Sequence, residues 1–182
     1  MPTTWEKNDP TEAFLVALDI SGFSNDVDPD RLSEQRMKFF FSVEESRLFP
    51  KAKDNQDVKV HFLGDELRLA FLTGVGTREV RDFVDDVFAK LDKINEHALK
   101  EYRTRIKGVA LKGVVIWKTW INCEYLNGEL PVKAQTWMSY LAPDEVAIDE
   151  TFKIALQIDG VPTQGLSHRK FSGETGYMLR GR

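Results

Sequence analysis

The sequence predicts a single α+β domain in which helices pack on one face of a largely antiparallel sheet. The chain has 182 residues, of which 42% are apolar, and this is enough to build one hydrophobic core. Strand-like and helix-like segments alternate in the approximate order βαββαββαβ. No repeat, low-complexity tract or linker interrupts this order, so we expect one domain over residues 1–182, with its core at about 13–180.

The composition argues against several classes of partner. Lysine and arginine number 25 against 29 acidic residues, and the net charge of -4 offers no general attraction to nucleic acid or to an anionic membrane. Cys123 is the only cysteine in the sequence, so neither a disulfide nor a cysteine-pair zinc site can form within the chain. No stretch approaches the roughly 20 apolar residues of a membrane span. We therefore expect a cytoplasmic protein with no nucleic-acid and no membrane partner.

The first strand and the first helix are indicated by composition. Residues 13–18 form a continuous apolar run that predicts a buried strand, with Asp19 at its carboxyl end. The sequence of residues 28–30, Asp-Pro-Asp, marks a helix start, and helix-forming residues continue to about Leu48. Pro50 is expected to close this helix.

The next segments predict a hairpin and a second helix. Residues 58–63 and 66–71 each alternate between polar and apolar side chains, and the dipeptide between them, Gly64-Asp65, is typical of a tight turn. Asp65 is therefore expected at the tip of a hairpin. From Thr77 to about Arg103, apolar residues recur at steps of three and four, which predicts an amphipathic helix packed across the sheet.

The second half of the chain continues the mixed pattern. Residues 106–117 are rich in β-forming residues but contain Gly108 and Gly113, which indicates close approach by a ligand or another backbone, such as that of a second subunit. The remaining predicted elements are a loop around Asn127-Gly128, a helix at 132–141, a strand at 146–148, a short helix from Asp149, and a hairpin through Gly173 to Leu179.

Asp19 and Asp65 are the first candidates for chemistry. If their strands are neighbours, the two carboxylates lie side by side and repel each other unless a cation binds between them. Mg²⁺ commonly takes one or two protein carboxylates and completes its shell with water and substrate phosphates. Backbone N–H groups around Gly22 are suited to phosphate oxygens. The alternative is that Asp19 only caps a helix and that Asp65 only forms a turn.

Two motifs add a family resemblance. Asp19-Ile20-Ser21-Gly22-Phe23-Ser24, followed by Leu63-Gly64-Asp65-Glu66, resembles the signature of the class III adenylate and guanylate cyclases. Residues 108–115 and 141–148 are similar to the family's glycine-containing strand and its late helix-turn-strand. The resemblance implies a ferredoxin-like cyclase fold and a head-to-tail homodimer with its active sites at the interface. It also implies two Mg²⁺ or Mn²⁺ ions per site, with Asp19, Ile20 and Asp65 at metal-binding positions and the two aspartates catalytic.

The residues that read the base depart from this family. Where its purine cyclases carry a lysine and an acidic residue, the sequence has His61 and Tyr125, and an imidazole with a phenol would narrow the pocket to suit a pyrimidine. This resembles the stand-alone Pycsar pyrimidine cyclases of bacterial antiphage defence, and it implies a cyclic pyrimidine nucleotide that activates a separate effector protein. UTP is preferred over CTP, although either base can bond to these side chains. The alternative is a solvent-facing histidine and an ordinary tyrosine.

The transition-state residues also depart from the family. Its asparagine and arginine would fall at Val132 and Thr136, and a shifted alignment would bring Lys133 or Gln135 to the substrate. Lys133 and Thr136 are therefore candidates for stabilising the transition state. The segment with Arg169 and Lys170 resembles the family's phosphate-binding segment, which implies that these cations bind the triphosphate; the alternative is a solvated basic turn. Gly22, Phe23 and Ser24 are also expected to bind the triphosphate.

Three other functions stay open at this point. They are a cytidylate or purine nucleotide cyclase, a cyclase-like nucleotide-binding module without turnover, and a ferredoxin-like interaction domain with no nucleotide site.

Overall fold

The computed structural model of the chain describes residues 8–23, 28–120 and 123–181, and this described part contains eight strands and five α-helices. The strands are β1 (Pro10–Ile20), β2 (Val58–Leu63), β3 (Glu66–Leu72), β4 (Ile106–Trp120), β5 (Cys123–Asn127), β6 (Val146–Ile148), β7 (His168–Phe171) and β8 (Glu174–Arg180). The helices are α1 (Pro29–Glu44), α2 (Leu48–Asp54), α3 (Thr77–Ile94), α4 (Glu129–Met138) and α5 (Glu150–Ile158), with a short 3₁₀ helix at Lys100–Tyr102.

All eight strands belong to one mixed sheet. Its order is β2-β3-β1-β4-β6-β8-β7, and β5 pairs with the outer half of β4. The β4–β6 pair is parallel, and the other neighbouring strands are antiparallel. The predicted α+β fold with a largely antiparallel sheet is therefore confirmed.

Alternation along β1 divides the core between the two faces of the sheet. Phe14, Val16, Leu18 and Ile20 belong to a core cluster formed with α1, α2, α3 and α5. Ala13, Leu15 and Ala17 belong to a second cluster, formed with β5 and α4. The expectation that all helices cover one face was therefore wrong for α4. Asp19 continues the second series and lies on the α4 face.

Two helices end earlier than the sequence pattern predicts. Asp28 caps α1 by accepting a hydrogen bond from the backbone N–H of Asp30 at 3.1 Å, as the Asp-Pro-Asp signal predicts, but α1 already ends at Glu44. Pro50 does not close that helix. It lies in the first turn of α2, where a missing N–H costs no helical hydrogen bond. The third helix ends at Ile94, and the buried amide of Asn95 then bonds to both the N–H and the carbonyl of Thr104.

The glycines of β4 have a structural explanation within the chain. A Cβ atom on Gly108 would lie 2.5 Å from the Leu18 side chain and 2.7 Å from the Ala17 carbonyl oxygen. A Cβ on Gly113 would lie 3.2 Å from Leu130. The close neighbours are therefore β1 and α4 of the same chain, and the suggestion of a second subunit at these glycines is not needed.

The three consecutive phenylalanines of α1 divide between core and surface. Phe39 is fully buried, Phe40 packs edge-on against Phe62 with ring centroids 5.2 Å apart, and Phe41 is exposed. No helix within residues 8–23, 28–120 and 123–181 has the length and apolar character that crossing a membrane requires.

Candidate active site

The end of β1 meets the turn between β2 and β3. Asp19 is the penultimate residue of β1 and pairs with Glu66 of β3, the residue that directly follows Asp65. The backbone N–H of Ile20 donates to the carbonyl oxygen of Asp65 at 3.4 Å, so the turn is joined to the strand end. Gly64 adopts φ +67°, a left-handed conformation that favours glycine and allows the tight turn. The structure therefore brings Asp19 and Asp65 together as predicted.

The carboxylates at this end of the sheet destabilise one another. Burial, together with the negative charges of Asp65 and Glu66, raises the pKa of Asp19 from 3.8 to about 6. Lys107 opposes this shift from β4, where it pairs with Asp19 and places its Nζ 3.6 Å from the carboxylate. The cluster has a local excess of negative charge, and a divalent cation would relieve it.

The donor set suits a hard cation bound together with substrate. Within the described residues, no group of three or more His, Cys, Asp and Glu side chains is arranged to hold a metal ion. Two carboxylates are enough for Mg²⁺ or Mn²⁺ when phosphate oxygens complete the shell. Ile20 can contribute only its backbone oxygen, because its side chain is buried in the core. Asp19, Ile20 and Asp65 therefore fit the predicted site without forming a complete protein cage.

The segment after β1 is a tight turn at the same end of the sheet. Ser21 donates its N–H to the Arg105 carbonyl at 2.8 Å, and Gly22 follows with φ +80°. The side chain of Phe23 packs against the core, and the Arg36 guanidinium lies 4.7 Å from its ring centroid. The turn thus lies beside Asp19, and phosphate binding by Gly22 and Phe23 stays a prediction. Ser24, the last predicted residue of this loop, falls outside the described residues.

The predicted base readers, which are 64 positions apart in the sequence, lie together. The ring centroids of His61 on β2 and Tyr125 on β5 are 6.4 Å apart. The backbone N–H of Leu126, the neighbour of Tyr125, donates to Nδ1 of His61 at 3.4 Å. This contact depends on β5, which the sequence pattern did not predict.

Two charged residues of the site were missed by sequence reasoning. Arg68 is buried on β3, directly opposite His61, and forms an ion pair with Glu66. Burial lowers the pKa of His61, the positive charge of Arg68 lowers it further, and Glu66 opposes the shift. The signal for Arg68 was an opposite charge two residues after Glu66 in a predicted strand. Lys107 gave no comparable signal, because its place opposite Asp19 follows only from the strand order.

The candidates on α4 are engaged in contacts of their own. Lys133 forms ion pairs with Asp149 at 3.4 Å and Glu174 at 2.7 Å, and the Thr136 hydroxyl donates to the Val132 carbonyl at 3.0 Å. Lys133 lines a cavity of about 850 Å³ that also includes Gly113. Gly113 pairs with Ala13, six residues before Asp19 on β1, so this cavity lies roughly 20 Å along the sheet from Asp19.

The candidates on β7 also lie away from Asp19 in this chain. Arg169 contacts both carboxylate oxygens of Glu145 at 2.9 Å, and Lys170 donates to the Thr175 hydroxyl at 2.7 Å. Strands β4, β6 and β8 separate β7 from β1. One chain therefore holds the aspartates in one region and the cationic candidates in another.

Comparison with known proteins identifies the fold. No family model and no curated protein matches the chain. Among solved structures, the guanylyl cyclase Cya2 superposes with a TM-score of 0.68 at 14% identity, over 96% of this chain and 93% of that protein. The guanylate cyclase domain of RhGC from Catenaria anguillulae, in complex with GTP, gives 0.66 at 13% identity, over 93% and 97% of the two chains.

A bacterial light-regulated adenylyl cyclase gives a TM-score of 0.69 at 13% identity, and the match covers 97% of this chain but 54% of that protein. The chain therefore has the fold of adenylyl and guanylyl cyclase domains.

Proposed function

We propose that this chain is a nucleotidyl cyclase that converts UTP to 3′,5′-cyclic UMP and pyrophosphate. The observation that carries the proposal is the meeting of Asp19 and Asp65, joined by the Ile20–Asp65 backbone hydrogen bond, within a cyclase-domain fold. Two neighbouring carboxylates of which one is partly buried need a functional reason, because their repulsion destabilises the folded chain.

The reaction is an intramolecular displacement at phosphorus. The ribose 3′ oxygen bonds to the α-phosphorus, the bond from that phosphorus to pyrophosphate breaks, and the 3′-hydroxyl proton passes to water. Mg²⁺ or Mn²⁺, held by Asp19, Asp65 and the Ile20 carbonyl, would supply charge stabilisation for the 3′ oxygen and the phosphates. Lys107, next to Asp19, adds a protein cation on the same side, and the turn at Gly22 and Phe23 offers backbone N–H groups to phosphate oxygens.

A head-to-tail homodimer would complete each site. The candidates on α4 and β7 lie away from Asp19 within one chain, so a second copy is the natural source of Lys133, Thr136, Arg169 and Lys170 for each site. In the arrangement that the family resemblance implies, His61 and Tyr125 also come from that second copy. The cavity beside α4 is bordered by Val114 and Val132, which are 51% and 63% exposed, and a second copy would bury them. Dimerisation therefore joins two incomplete half-sites.

The proposed substrate and signalling role rest on the two base readers and on the family resemblance. His61 and Tyr125 lie beside each other, with ring centroids 6.4 Å apart, and their bulk in place of the purine readers supports a pyrimidine substrate. A cytoplasmic cyclase similar to the stand-alone pyrimidine cyclases would make cyclic UMP as a signal for a separate effector protein in antiphage defence.

The test compares the four nucleoside triphosphates in parallel. Purified protein is incubated with ATP, GTP, CTP or UTP and Mn²⁺ or Mg²⁺, and the products are identified by mass. We expect a cyclic pyrimidine monophosphate that is lost in Asp65→Ala. Asp92→Asn, an exposed surface change, is the matched control and should retain activity.

A nucleotide-binding module without turnover is the second candidate. It is favoured by the contacts of α4, where Lys133 is held by two acidic side chains and Thr136 bonds to its own helix. This candidate predicts a metal-dependent thermal shift with a triphosphate but no cyclic product.

A further inference from the structure

His61 is held in one tautomer by the backbone. The N–H of Leu126 donates to Nδ1 of His61 at 3.4 Å. A backbone N–H can only donate, so Nδ1 carries no proton and the neutral ring must carry its proton on Nε2. The pairing of β4 with β5 positions Leu126, so this constraint belongs to the fold and not to a mobile side chain.

The proton on Nε2 is available to a ligand. Among residues 8–23, 28–120 and 123–181, Nε2 has no hydrogen-bond partner, and the side chain is only partly buried. The Tyr125 ring stands beside it at 6.4 Å between centroids. His61 thus presents one fixed donor next to an aromatic surface.

Arg68 keeps the ring neutral. Its guanidinium is buried on β3 directly opposite His61, and a nearby positive charge disfavours a second proton on the imidazole. The charged or titratable groups that face His61 are Arg68 and Glu66 from β3 and Tyr125 from β5. Glu66, which is paired with Arg68, partly opposes the effect of Arg68 on the pKa of His61.

We infer that the Nε2–H of His61 donates to the exocyclic oxygen of an oxo base. The protonated ring carries the same N–H, so this donor is present in either protonation state. The inference rests on the proposed cyclase function and decides between its pyrimidines. Uracil carries a carbonyl acceptor at C4, on the base edge far from the ribose, whereas cytosine carries an amino donor that would face the His61 donor. Guanine and adenine differ in the same sense at C6, so this donor favours the oxo base of each pair, which among the pyrimidines is uracil.

The expected discrimination between UTP and CTP follows from the two N–H donors, of His61 and of the cytosine amino group, that would face each other. Placing an N–H group against an N–H group costs about 1–3 kcal/mol, which corresponds to a preference of roughly 5- to 140-fold for UTP over CTP in kcat/KM. In His61→Gln the carboxamide can turn to offer either a donor or an acceptor, so this ratio should fall below about threefold. His97→Gln, an exposed histidine variant, should retain the ratio of the unmodified protein.

The tautomer is measured independently of turnover. The chain has three histidines, and long-range ¹H–¹⁵N spectra distinguish a protonated Nε2 from a protonated Nδ1 in each. We expect His61 as the Nε2–H form. Arg68→Gln should raise the pKa of His61, and Arg68→Lys should keep it low because it retains the charge. Neither variant should abolish the preference for UTP, because the protonated ring also carries the Nε2–H.

Failure of the oxo-base assignment can be distinguished from failure of the proposed cyclase function. Cyclic product made from CTP at least as well as from UTP, or a His61 ring protonated on Nδ1, would overturn the oxo-base assignment while leaving the cyclase intact. No cyclic product from any triphosphate would overturn the proposed function itself and with it the assignment of a substrate base.

Discussion

Replacing Asp19 by asparagine should stabilise the metal-free protein. The pKa of this carboxyl rises from 3.8 to about 6 in the folded chain, because it is partly buried and lies near Asp65. A shift of roughly two units corresponds to about 3 kcal/mol of destabilisation when the group is ionised. The side chain is 20% exposed and loses its ion pair with Lys107 on substitution, so we expect a net gain of about 1–3 kcal/mol. For a chain of this size that is a rise in Tm of roughly 2–10 °C.

The sign of the pH dependence follows from the same shift. Between pH 3.8 and about 6, the folded chain holds a proton on Asp19 that the unfolded chain has released. Because the folded state binds more protons in this window, the contribution of Asp19 to stability falls as the pH rises through it. Asparagine resembles the protonated form, so the stability difference between Asp19→Asn and the unmodified protein should be large at pH 7.5 and disappear near pH 4.

The assay is urea or thermal unfolding in EDTA, with the measurement repeated in Mn²⁺. Asp92→Asn is the control, because Asp92 forms an exposed ion pair with Arg180 and its loss should change stability by about 0–1 kcal/mol. Mn²⁺ should stabilise the unmodified protein more than Asp19→Asn. If Asp19→Asn is no more stable than the unmodified protein at pH 7.5 in EDTA, the proposed repulsion between the carboxylates is wrong.

Three further predictions concern packing and substrate binding. Gly108→Ala should lower stability by about 1–3 kcal/mol in a urea melt, because its Cβ would lie 2.7 Å from a backbone oxygen of β1, whereas Gly74→Ala, with open space around its Cβ, should change it by less than about 0.5 kcal/mol. Equal effects would refute the packing argument. Tyr125→Ala should enlarge the base pocket and raise the ratio of purine to UTP turnover about tenfold in initial-rate assays; an unchanged ratio would remove Tyr125 from the pocket. Lys107→Met should raise the KM for UTP about tenfold, and an unchanged KM would show that this cation does not face the phosphates.

Local patterns predicted most of the elements. The alternation around Gly64-Asp65 predicted the 58–71 hairpin. In the same way, the apolar stripe predicted α3, and the capping signal at Asp28 predicted the start of α1. The boundary between α1 and α2 was not predicted, because the segment has no strong helix breaker before Pro50. That proline is itself tolerated in a first helical turn.

The site depended on contacts that no local pattern contains. Asp19 and Asp65 were found because each occupies the end of a strong local signal and because the two motifs resemble a known family. Lys107 and Arg68 owe their positions to the order β2-β3-β1-β4, in which strands distant in sequence become neighbours. The contact between His61 and Tyr125 needs β5, a short strand whose sequence has little alternation.

The most direct measurement is the identity of the product from UTP. The protein is incubated with UTP and Mn²⁺, and the nucleotide product and pyrophosphate are quantified by mass spectrometry and a coupled assay. We predict cyclic UMP and pyrophosphate in equal amounts, with neither formed by Asp65→Ala. Unchanged UTP, or UMP or UDP in place of the cyclic product, would contradict the assignment of Asp19 and Asp65 to a cyclase site.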